Sequence, residues 1–539
     1  MRRRRLATGD SLRAAVVATA HKPATRAALP FLYETGKSRA GSVVAALSVS
    51  RAQSAERRPG GKGSRQRGVI MPVLEWSSTY PVSADELYVW HTRPGAFARS
   101  APPWQRIRVL ERSGGIEDDG RVVLSLESGL PRGLPGDRLV RLRWEVRHHD
   151  HVRGRQFVDT QVKGPFARWE HTHRFIPKGE HESVLEDHLE YRLPAGAAGT
   201  LFADGAVRRQ LERVLRFRHE RLRHDLERHS AFADAPRLTV AVSGAGGLIG
   251  ANLTAFLTSG GHQVRRLVRR SPSAADEIFW DPDTGAIDAA ALEGVDAVVH
   301  LAGESLFGVW TAGKRERIRR SRERGTALLS RTLARLQKPP RVLLSTSAVG
   351  IYGDRGDEIL TEESTLGEGF LADVCKAWEA ALEPAREAGI RVAVLRLAVL
   401  MSPSGGALPL MMTPFRLGAG GRIGSGEQWM SWVAPDDVLG AALRLLTDDT
   451  LSGPFNMGAP DPVTNAEFTH TLARVLRRPA MVAVPGAVME RVLGEMGRSL
   501  VLTSERMQPK RLEQAGFRFL FPRLEDALRF ELGRLSVGR

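Results

Sequence analysis

Short runs of alternating apolar and polar residues recur in the first half of the chain. Several such runs between residues 74 and 193 are separated by turn residues: RVVLSLES, RLVRLRWEVR, RQFVDTQV, ARWEHTHRFI and SVLEDHLEYRL. This alternation predicts successive antiparallel strands. A charged stretch follows over residues 207–229, and a predicted helix there carries an apolar stripe formed by Leu211, Leu215, Leu222 and Leu226. Strands wrapped on a long terminal helix predict an α+β domain over residues 71–230.

The pattern changes after the connection AFADAPR at residues 231–237. Apolar strands then alternate with helical stretches, and the strands are LTVAVSG, HQVRRLVR, DAVVHLAG, RVLLSTSA and RVAVLRLAVL. This alternation predicts an α/β fold with a Rossmann-like, doubly wound parallel sheet over residues 238–478. Residues 479–535 are predicted to form small helices that cap the end of the sheet.

Charge is concentrated at one end of the chain. The formal net charge is +17, but residues 1–70 hold 15 Lys or Arg and only 3 Asp or Glu, so most of the excess lies there. This segment shows no sustained periodicity, and we expect a disordered basic leader. Met71 opens a domain-like segment, which favours a solvated or mis-assigned leader. A basic arm for nucleic acid or membrane and a targeting peptide are the alternatives.

Cysteine usage and hydropathy favour a cytoplasmic protein without a membrane span. Cys375 is the one cysteine among 539 residues, which excludes an internal disulfide, and we expect it to be a buried apolar residue. Two uncharged runs, residues 238–264 and 397–415, are broken by glycine or proline. The charge outside the leader is ordinary, so a small-molecule substrate is favoured over nucleic acid.

A glycine-rich loop follows the first strand of the predicted parallel sheet. Gly244 permits a tight turn, Gly247 lets the backbone approach a pyrophosphate, and Gly250 lets the next helix pack close to the strand. Free amides at the helix N-terminus would bind the anion. This strand, turn and helix context predicts dinucleotide binding. The expected contacts along the loop are Gly244, Ala245, Gly246, Gly247, Leu248, Ile249 and Gly250.

The end of the second strand favours NADP over NAD. No carboxylate occurs between Gly244 and Ala275, where an NAD-selective enzyme places one for the ribose hydroxyls. Four arginines lie there instead, and we expect Arg269 and Arg270 to contact a 2′-phosphate. After a later strand, Leu301, Ala302 and Gly303 are expected to lie under the nicotinamide half.

At this point a family becomes recognisable. The segments SGAGGLIG, VVHLAGE, WTAGKRERIRRSR, STSAVGIYG, ADVCKAWE, IGSGEQWMSWVAPDD and SGPFNMGAPDPVTNAEF together resemble the epimerase-like branch of the extended short-chain dehydrogenases, over residues 238 to about 533. This branch is often labelled sugar-nucleotide epimerase. Residues 71–230 resemble the polyketide-cyclase and lipid-transfer superfamily, which implies a helix-grip fold holding an apolar ligand.

The resemblance implies a serine, a tyrosine and a lysine that share proton transfer during reduction of a carbonyl. Ser347 matches the serine, with Ser345 and Thr346 as near alternatives, and Lys376 matches the lysine. Ala372 stands where the tyrosine is expected. Tyr352 is the one tyrosine of the sheet domain, and it is a candidate acid or a packing residue. Glu304, just after a strand end, is a further candidate for substrate contact.

Two clusters have both a functional and a structural interpretation. His171 and His173 share a strand face, but no carboxylate or cysteine with ligand spacing accompanies them, so we expect no metal site. A second group could form an apolar substrate pocket or simply pack the core: Trp310, Trp429, Trp432, Met401, Met411 and Met412.

Three functions remain open from the sequence. The first is an NADP-dependent oxidoreductase or epimerase acting on a small, hydrophobic carbonyl or hydroxyl compound. The second is a catalytically silent NADP(H)-binding sensor or scaffold, suggested by the missing tyrosine. The third, a nucleic-acid-associated protein, depends on residues 1–70 alone.

Overall fold

The predicted strands of the first half form one antiparallel sheet. The computed structural model describes residues 71–128, 140–194 and 196–535. The predicted leader at 1–70 lies outside the described residues. The first seven strands of the described residues are β1 (Val73–Tyr80), β2 (Arg106–Ser113), β3 (Arg121–Ser128), β4 (Val140–Val152), β5 (Gln156–Lys163), β6 (Arg168–Pro177) and β7 (Ser183–Arg192). Their order across the sheet is β1-β7-β6-β5-β4-β3-β2.

A long helix covers this sheet. Two short helices, α1 (Ala84–Thr92) and α2 (Ala96–Ser100), follow β1, and α3 (Gly196–Ser230) follows β7. The apolar stripe of α3 packs on the sheet, because Leu215 lies in one core with β6 and β7 residues and Leu222 and Leu226 lie in another. The predicted apolar stripe is therefore confirmed.

The second sheet is built around parallel strands. Its members are β8 (Thr239–Ser243), β9 (Gln263–Val268), β10 (Glu277–Asp281), β11 (Ala286–Ile287), β12 (Ala297–His300), β13 (Val342–Ala348), β15 (Arg391–Leu397) and β19 (Gly453–Met457). The order is β11-β10-β9-β8-β12-β13-β15-β19, and within the described part of this sheet only the β10–β11 pair is antiparallel. Successive strands are added on one side of β8 up to β11 and on the other side from β12 onward, so the topological switch point lies between β8 and β12. Sheets of this class bind ligands at that point.

Helices cover both faces of the parallel sheet, as predicted for a Rossmann-like fold. The helices that follow β8 along the described chain are α4 (Leu248–Ser259), α5 (Ala312–Leu333), α6 (Phe370–Ala380), α7 (Glu383–Glu387), α8 (Leu408–Arg416), α9 (Pro435–Thr447), α10 (Asn465–Leu476), α11 (Gly486–Leu493), α12 (Glu495–Gly497), α13 (Lys510–Gln514) and α14 (Leu524–Glu531). Of these, α4 and α9 pack on one face of the sheet and α5 and α7 on the other. The fold class is confirmed. No helix of the described residues is long and apolar enough to cross a membrane.

Three two-stranded pairs tie the later loops together. They are β14 (Ile359–Leu360) with β21 (Arg506–Met507), β16 (Val399–Leu400) with β18 (Trp432–Val433), and β17 (Trp429–Met430) with β20 (Val463–Thr464). The β14–β21 pair carries the C-terminal segment back to the loop that follows β13.

A buried ion-pair network joins the domain of the antiparallel sheet to the domain of the parallel sheet. Asp436, in the first turn of α9, accepts a 2.8 Å hydrogen bond from Arg99 of α2 and lies 3.0 Å from Arg221 of α3. Arg99 also forms two hydrogen bonds with Asp225, at 2.6 and 2.7 Å, and Arg221 pairs with Glu531 at 3.0 Å. All five side chains are at most 3% exposed. The two arginines hold the pKa of Asp436 down at about 2, against the effect of burial.

Apolar packing continues the same interface. Phe217 of α3 is fully buried in a core that also contains Met412 of α8, Trp432 of β18 and Phe530 of α14. The side chain of Arg213 donates to the carbonyl oxygens of Leu532 and Gly533 at the end of the described chain. Helix α3 therefore belongs to the cores of both domains.

We expect Asp436→Asn to destabilise the protein by about 3–5 kcal/mol, because it leaves the buried Arg99 and Arg221 without a shared carboxylate. Urea unfolding followed by tryptophan fluorescence measures the loss as a lower midpoint. The control is Asp526→Asn, whose partner Arg523 is 72% exposed and whose ion pair contributes little. Equal midpoints for the two variants would contradict this role of Asp436.

Candidate dinucleotide and catalytic site

The glycine loop after β8 has the geometry that its spacing predicts. Gly244 has a φ of +69°, and a Cβ there would lie 2.9 Å from backbone atoms of Leu301 and Ala302. A Cβ at Gly250 would lie 2.2 Å from the carbonyl oxygen of Gly244. Gly247 is the N-cap of α4 and places no side chain over the first turn. The first amides of α4 are therefore available to an anion.

The end of β8 also positions the turn after β12. The hydroxyl of Ser243 contacts Nδ1 of the buried His300 at 2.7 Å and accepts a 3.1 Å hydrogen bond from the backbone of Leu301. Burial lowers the pKa of His300 to about 4, so its ring is neutral near pH 7. These contacts hold Leu301, Ala302 and Gly303 beside the glycine loop.

The arginines at the end of β9 differ in how they are held. Arg270 donates to both carboxylate oxygens of Glu277, at 2.5 and 2.8 Å, and Arg266 pairs with Asp276. The carboxylates that follow the arginine segment thus neutralise two of its members. Arg269 is exposed and has no ion pair among the described residues. Arg269 is the guanidinium that stays available to a phosphate.

One cation at this site was not identified from the sequence. The guanidinium of Arg322, on α5, lies 3.4 Å from where a Cβ of Gly303 would be and 5.0 Å above the ring of Trp378. Its hydrogen bonds go to the carbonyl oxygens of Glu304 and Ile318. Burial lowers the pKa of Arg322, yet the residue has no carboxylate within ion-pair distance among the described residues. Arg322 is the last residue of the RRSR segment, but that segment alone does not show which of its arginines faces the site. The packing of α5 on α6 shows it.

Ser347 lies near the end of β13 and is 2% exposed. Its hydroxyl contacts the thiol of Cys375 on α6, and no other polar group of the described structure pairs with it. Burial raises the pKa of that thiol to about 11, against the opposing effects of Arg322 and Ser347. The thiol is therefore protonated at neutral pH, as expected for a buried cysteine.

Ala372 and Lys376 lie one turn apart on α6 but differ in exposure. Ala372 is 1% exposed and faces the core, while the Lys376 side chain is 38% exposed, with its Nζ 3.7 Å from Asp373. The position four residues before Lys376 thus offers no proton donor.

Tyr352 is enclosed in the core. It is fully buried, its hydroxyl donates to Asn456 at 2.6 Å, and it accepts from Arg396 at 2.9 Å. Arg396 is itself held by two 2.9 Å hydrogen bonds to Glu379. Burial raises the pKa of Tyr352. Both polar contacts of the hydroxyl are protein groups, so the geometry favours the packing role over the acid role.

Glu304 follows the turn after β12 and is paired. Its Oε1 accepts a 2.7 Å hydrogen bond from Lys314, at the start of α5. This contact lowers the pKa of Glu304, which is ionised at neutral pH. An ionised carboxylate at this edge can accept a hydrogen bond from a substrate but has no proton to donate.

A second carboxyl group reaches the site from the C-terminal segment. Oε1 of the half-buried Glu505 lies 3.8 Å from where a Cβ of Gly350 would be, in the turn that follows β13. The carboxyl group has no hydrogen bond or ion pair among the described residues, although the backbone is fixed by Trp429 and Ser431. Burial and the nearby Asp354 raise the pKa of Glu505 to about 8. Glu505 is therefore protonated at neutral pH.

The tryptophan and methionine residues do not form one pocket. Met401, Met412 and Trp432 are at most 1% exposed in the core beside α3. Trp310 packs in a separate cluster with Met496, and Trp429 donates to Asp357 at the surface. Met401, Met412 and Trp432 thus follow the core-packing interpretation, while Trp310 and Trp429 lie apart from that core.

Comparisons with known proteins agree with this geometry. The description "NAD dependent epimerase/dehydratase family" matches residues 240–458, and "Polyketide cyclase / dehydrase and lipid transport" matches residues 80–217. A domain of unknown function matches residues 484–531. An epimerase family protein of Mycobacterium tuberculosis is 39% identical over 296 residues, which are 55% of this chain and 98% of the relative. The chain belongs to the epimerase family.

Two solved structures of the epimerase family are similar to this chain. A nucleoside-diphosphate sugar epimerase from Corynebacterium glutamicum has a TM-score of 0.69 and 35% identity, covering 86% of this chain and 90% of its own. The human epimerase family protein SDR39U1 was solved with NADPH; its TM-score is 0.51 at 32% identity, covering 55% of this chain and 100% of its own. The former similarity extends over both domains.

We expect Gly247→Ala to weaken dinucleotide binding at least tenfold, about 1.4 kcal/mol, because the methyl group would stand between the phosphate and the first turn of α4. Isothermal titration with NADPH and NADH measures the change. The matched control is Gly179→Ala in the connection between β6 and β7, since a Cβ there meets nothing within 4 Å. If Gly179→Ala weakens binding as much as Gly247→Ala, the phosphate does not approach at residue 247.

Proposed function

We propose that this epimerase-family protein is an NADP-dependent oxidoreductase or epimerase that acts on a small carbonyl or hydroxyl compound. The observation that carries the proposal is the loop from Gly244 to Gly250, where two positions exclude any Cβ and the helix start is left open. That geometry is costly unless a phosphate-bearing ligand uses it. The NADPH in the human relative supports the same class of coenzyme.

Arg269 is the residue that would select the phosphorylated coenzyme. Arg266 and Arg270 already pair with Asp276 and Glu277, so an additional anion gains little from them. Arg269 has no such competitor among the described residues and lies directly after β9, where the 2′ position of the ribose is bound in this fold. A charge-assisted hydrogen bond from a guanidinium to a phosphate favours NADP over NAD.

We expect Arg269→Ala to lower the preference for NADPH over NADH by about 1.5–3 kcal/mol, the range for hydrogen bonds to charged groups. Binding constants for both coenzymes give the ratio directly. Arg237→Ala is the control, because Arg237 is exposed at the opposite end of β8. An unchanged ratio in Arg269→Ala would assign the selection to another group.

The proton donor in this proposal is Glu505 rather than a tyrosine. When bound at the glycine loop, NADPH would supply a hydride for carbonyl reduction, and the protein would have to provide a proton for the carbonyl oxygen. Glu505 is the carboxyl group beside the β13 turn that holds a proton at neutral pH. Ser347 donates a hydrogen bond that orients the same oxygen, and Lys376 and Arg322 keep the edge of the site positive. Glu304 accepts a hydrogen bond from a substrate hydroxyl. Tyr352 has a structural role, because its hydrogen bond to Asn456 ties the turn after β13 to β19.

We expect NADPH oxidation to decline as pH rises through about 8, the pKa of Glu505, because ionised Glu505 cannot donate a proton. Glu505→Gln should lower the rate at pH 7 by roughly 10²–10⁴-fold and remove this decline. Stopped assays with a panel of carbonyl compounds measure both. Glu513→Gln, an exposed glutamate of α13, is the control. A Glu505→Gln enzyme with the wild-type profile would exclude this donor.

One observation favours a second function, a coenzyme-binding sensor. Ala372 is buried and Tyr352 is enclosed, so the proton relay that the family resemblance implies is not assembled. A sensor would bind NADPH at the glycine loop, lose binding in Gly247→Ala, and consume none with any compound of the carbonyl panel. NADPH consumption that is lost in Ser347→Ala would favour the enzyme over the sensor.

A further inference from the structure

The inner face of the N-terminal sheet carries a buried group of histidines and aspartates. Antiparallel pairing places Asp159 of β5 opposite His171 of β6, and His173 of β6 opposite Asp187 of β7. His219 of α3 closes the group from the helix side. The expectation that no carboxylate accompanies the histidines is wrong, because neighbouring strands supply the carboxylates and no spacing within one strand reveals them.

The distances between three of these groups suit one metal ion. Oδ2 of Asp159 lies 3.3 Å from Nε2 of His173 and 3.7 Å from Nδ1 of His171. Ligand atoms of the three side chains all lie within 4.8 Å of one another. Two ligands at 2.0–2.2 Å from a tetrahedral zinc ion are roughly 3.3–3.6 Å apart, so only small shifts are needed. Two imidazoles with one carboxylate are ligands that divalent transition metals prefer.

The other nitrogens of both rings face a second carboxylate. Oδ1 of Asp187 lies 2.6 Å from Nδ1 of His173 and 3.4 Å from Nε2 of His171, and its Oδ2 lies 3.0 Å from His219. Trp169 donates a 2.9 Å hydrogen bond to Oδ1 of Asp159, which fixes the orientation of that carboxylate. Metal-binding histidines usually have a carboxylate or carbonyl on their second nitrogen, as these two have.

Neither aspartate of the group pairs with a lysine or arginine among the described residues, and the Asp159 and Asp187 side chains are only 17% and 3% exposed. Buried carboxylates need a cationic partner, which here is either a protonated imidazole of the same group or a bound metal ion. A divalent ion held by Asp159 would take the place of that proton.

We propose that Asp159, His171 and His173 bind a divalent transition metal ion inside the N-terminal domain, with Asp187 orienting both imidazoles. Three protein ligands leave at least one coordination position for water or for an oxygen atom of a bound small molecule. The N-terminal domain would then recognise an oxygen-bearing ligand through the metal, independently of the dinucleotide site.

Metal binding by the full chain tests the proposal. The protein is stripped with a chelator and dialysed against Zn²⁺ or Co²⁺, and bound metal is measured by plasma mass spectrometry and by the visible spectrum of Co²⁺. We expect about one equivalent per chain and a higher melting temperature with Zn²⁺. Asp159→Asn and His171→Gln should abolish the stoichiometric binding, and Asp187→Asn should weaken it about 10–100-fold.

His188→Gln is the matched control. His188 lies on β7 next to Asp187 but on the opposite face, paired with Glu75 and Glu190, so this variant should keep one equivalent. Circular dichroism verifies that each variant is folded. The absence of stoichiometric metal in the wild type, or an unchanged Co²⁺ spectrum in a folded Asp159→Asn protein, would overturn the proposal and leave a hydrogen-bonded His–Asp cluster.

Discussion

The arrangement of the two domains depends on Asp436. One carboxylate at the start of α9 receives an arginine from α2 and another from α3, and all three groups are buried. Desolvating these charges is expensive, and their attraction repays the cost only when every partner is in place. The network therefore does less to raise stability than to exclude other relative positions of the domains. Helix α9 in turn packs beneath β8 and β13 through Val438, Leu439 and their neighbours, so the position of the site depends on this contact.

The dinucleotide site and the histidine cluster are built on different principles. The glycine loop works by the absence of side chains, which leaves backbone amides open at a helix start. The cluster works by the convergence of side chains from three strands and a helix. Glu505 belongs to neither pattern, because the β14–β21 pairing delivers it from the C-terminal segment. The three candidate features thus come from three separate parts of the chain.

Local patterns predict most of the fold and the coenzyme loop. The stripe from Leu211 to Leu226 and the spacing of Gly244, Gly247 and Gly250 are short-range signals with one physical interpretation each. The partners of Arg270, Tyr352 and His171 are different, because each depends on which strand or loop arrives beside it. Glu277 follows Arg270 by only seven residues, yet the turn between them decides whether that guanidinium is free. Asp159 comes from the strand beside that of His171, and Asn456 comes from β19, two strands away from β13. The registers of these strands are set by packing across the whole sheet.

Helix α3 presents leucines to one domain and Phe217, Arg221 and Arg228 to the other. Such a helix restricts the recombination of the two halves during evolution or engineering. A different ligand-binding module fused at residue 238 would have to bring an aromatic residue and basic residues at matching places on its own last helix. The two halves are therefore not independent modules joined by a linker, because one helix completes the cores of both.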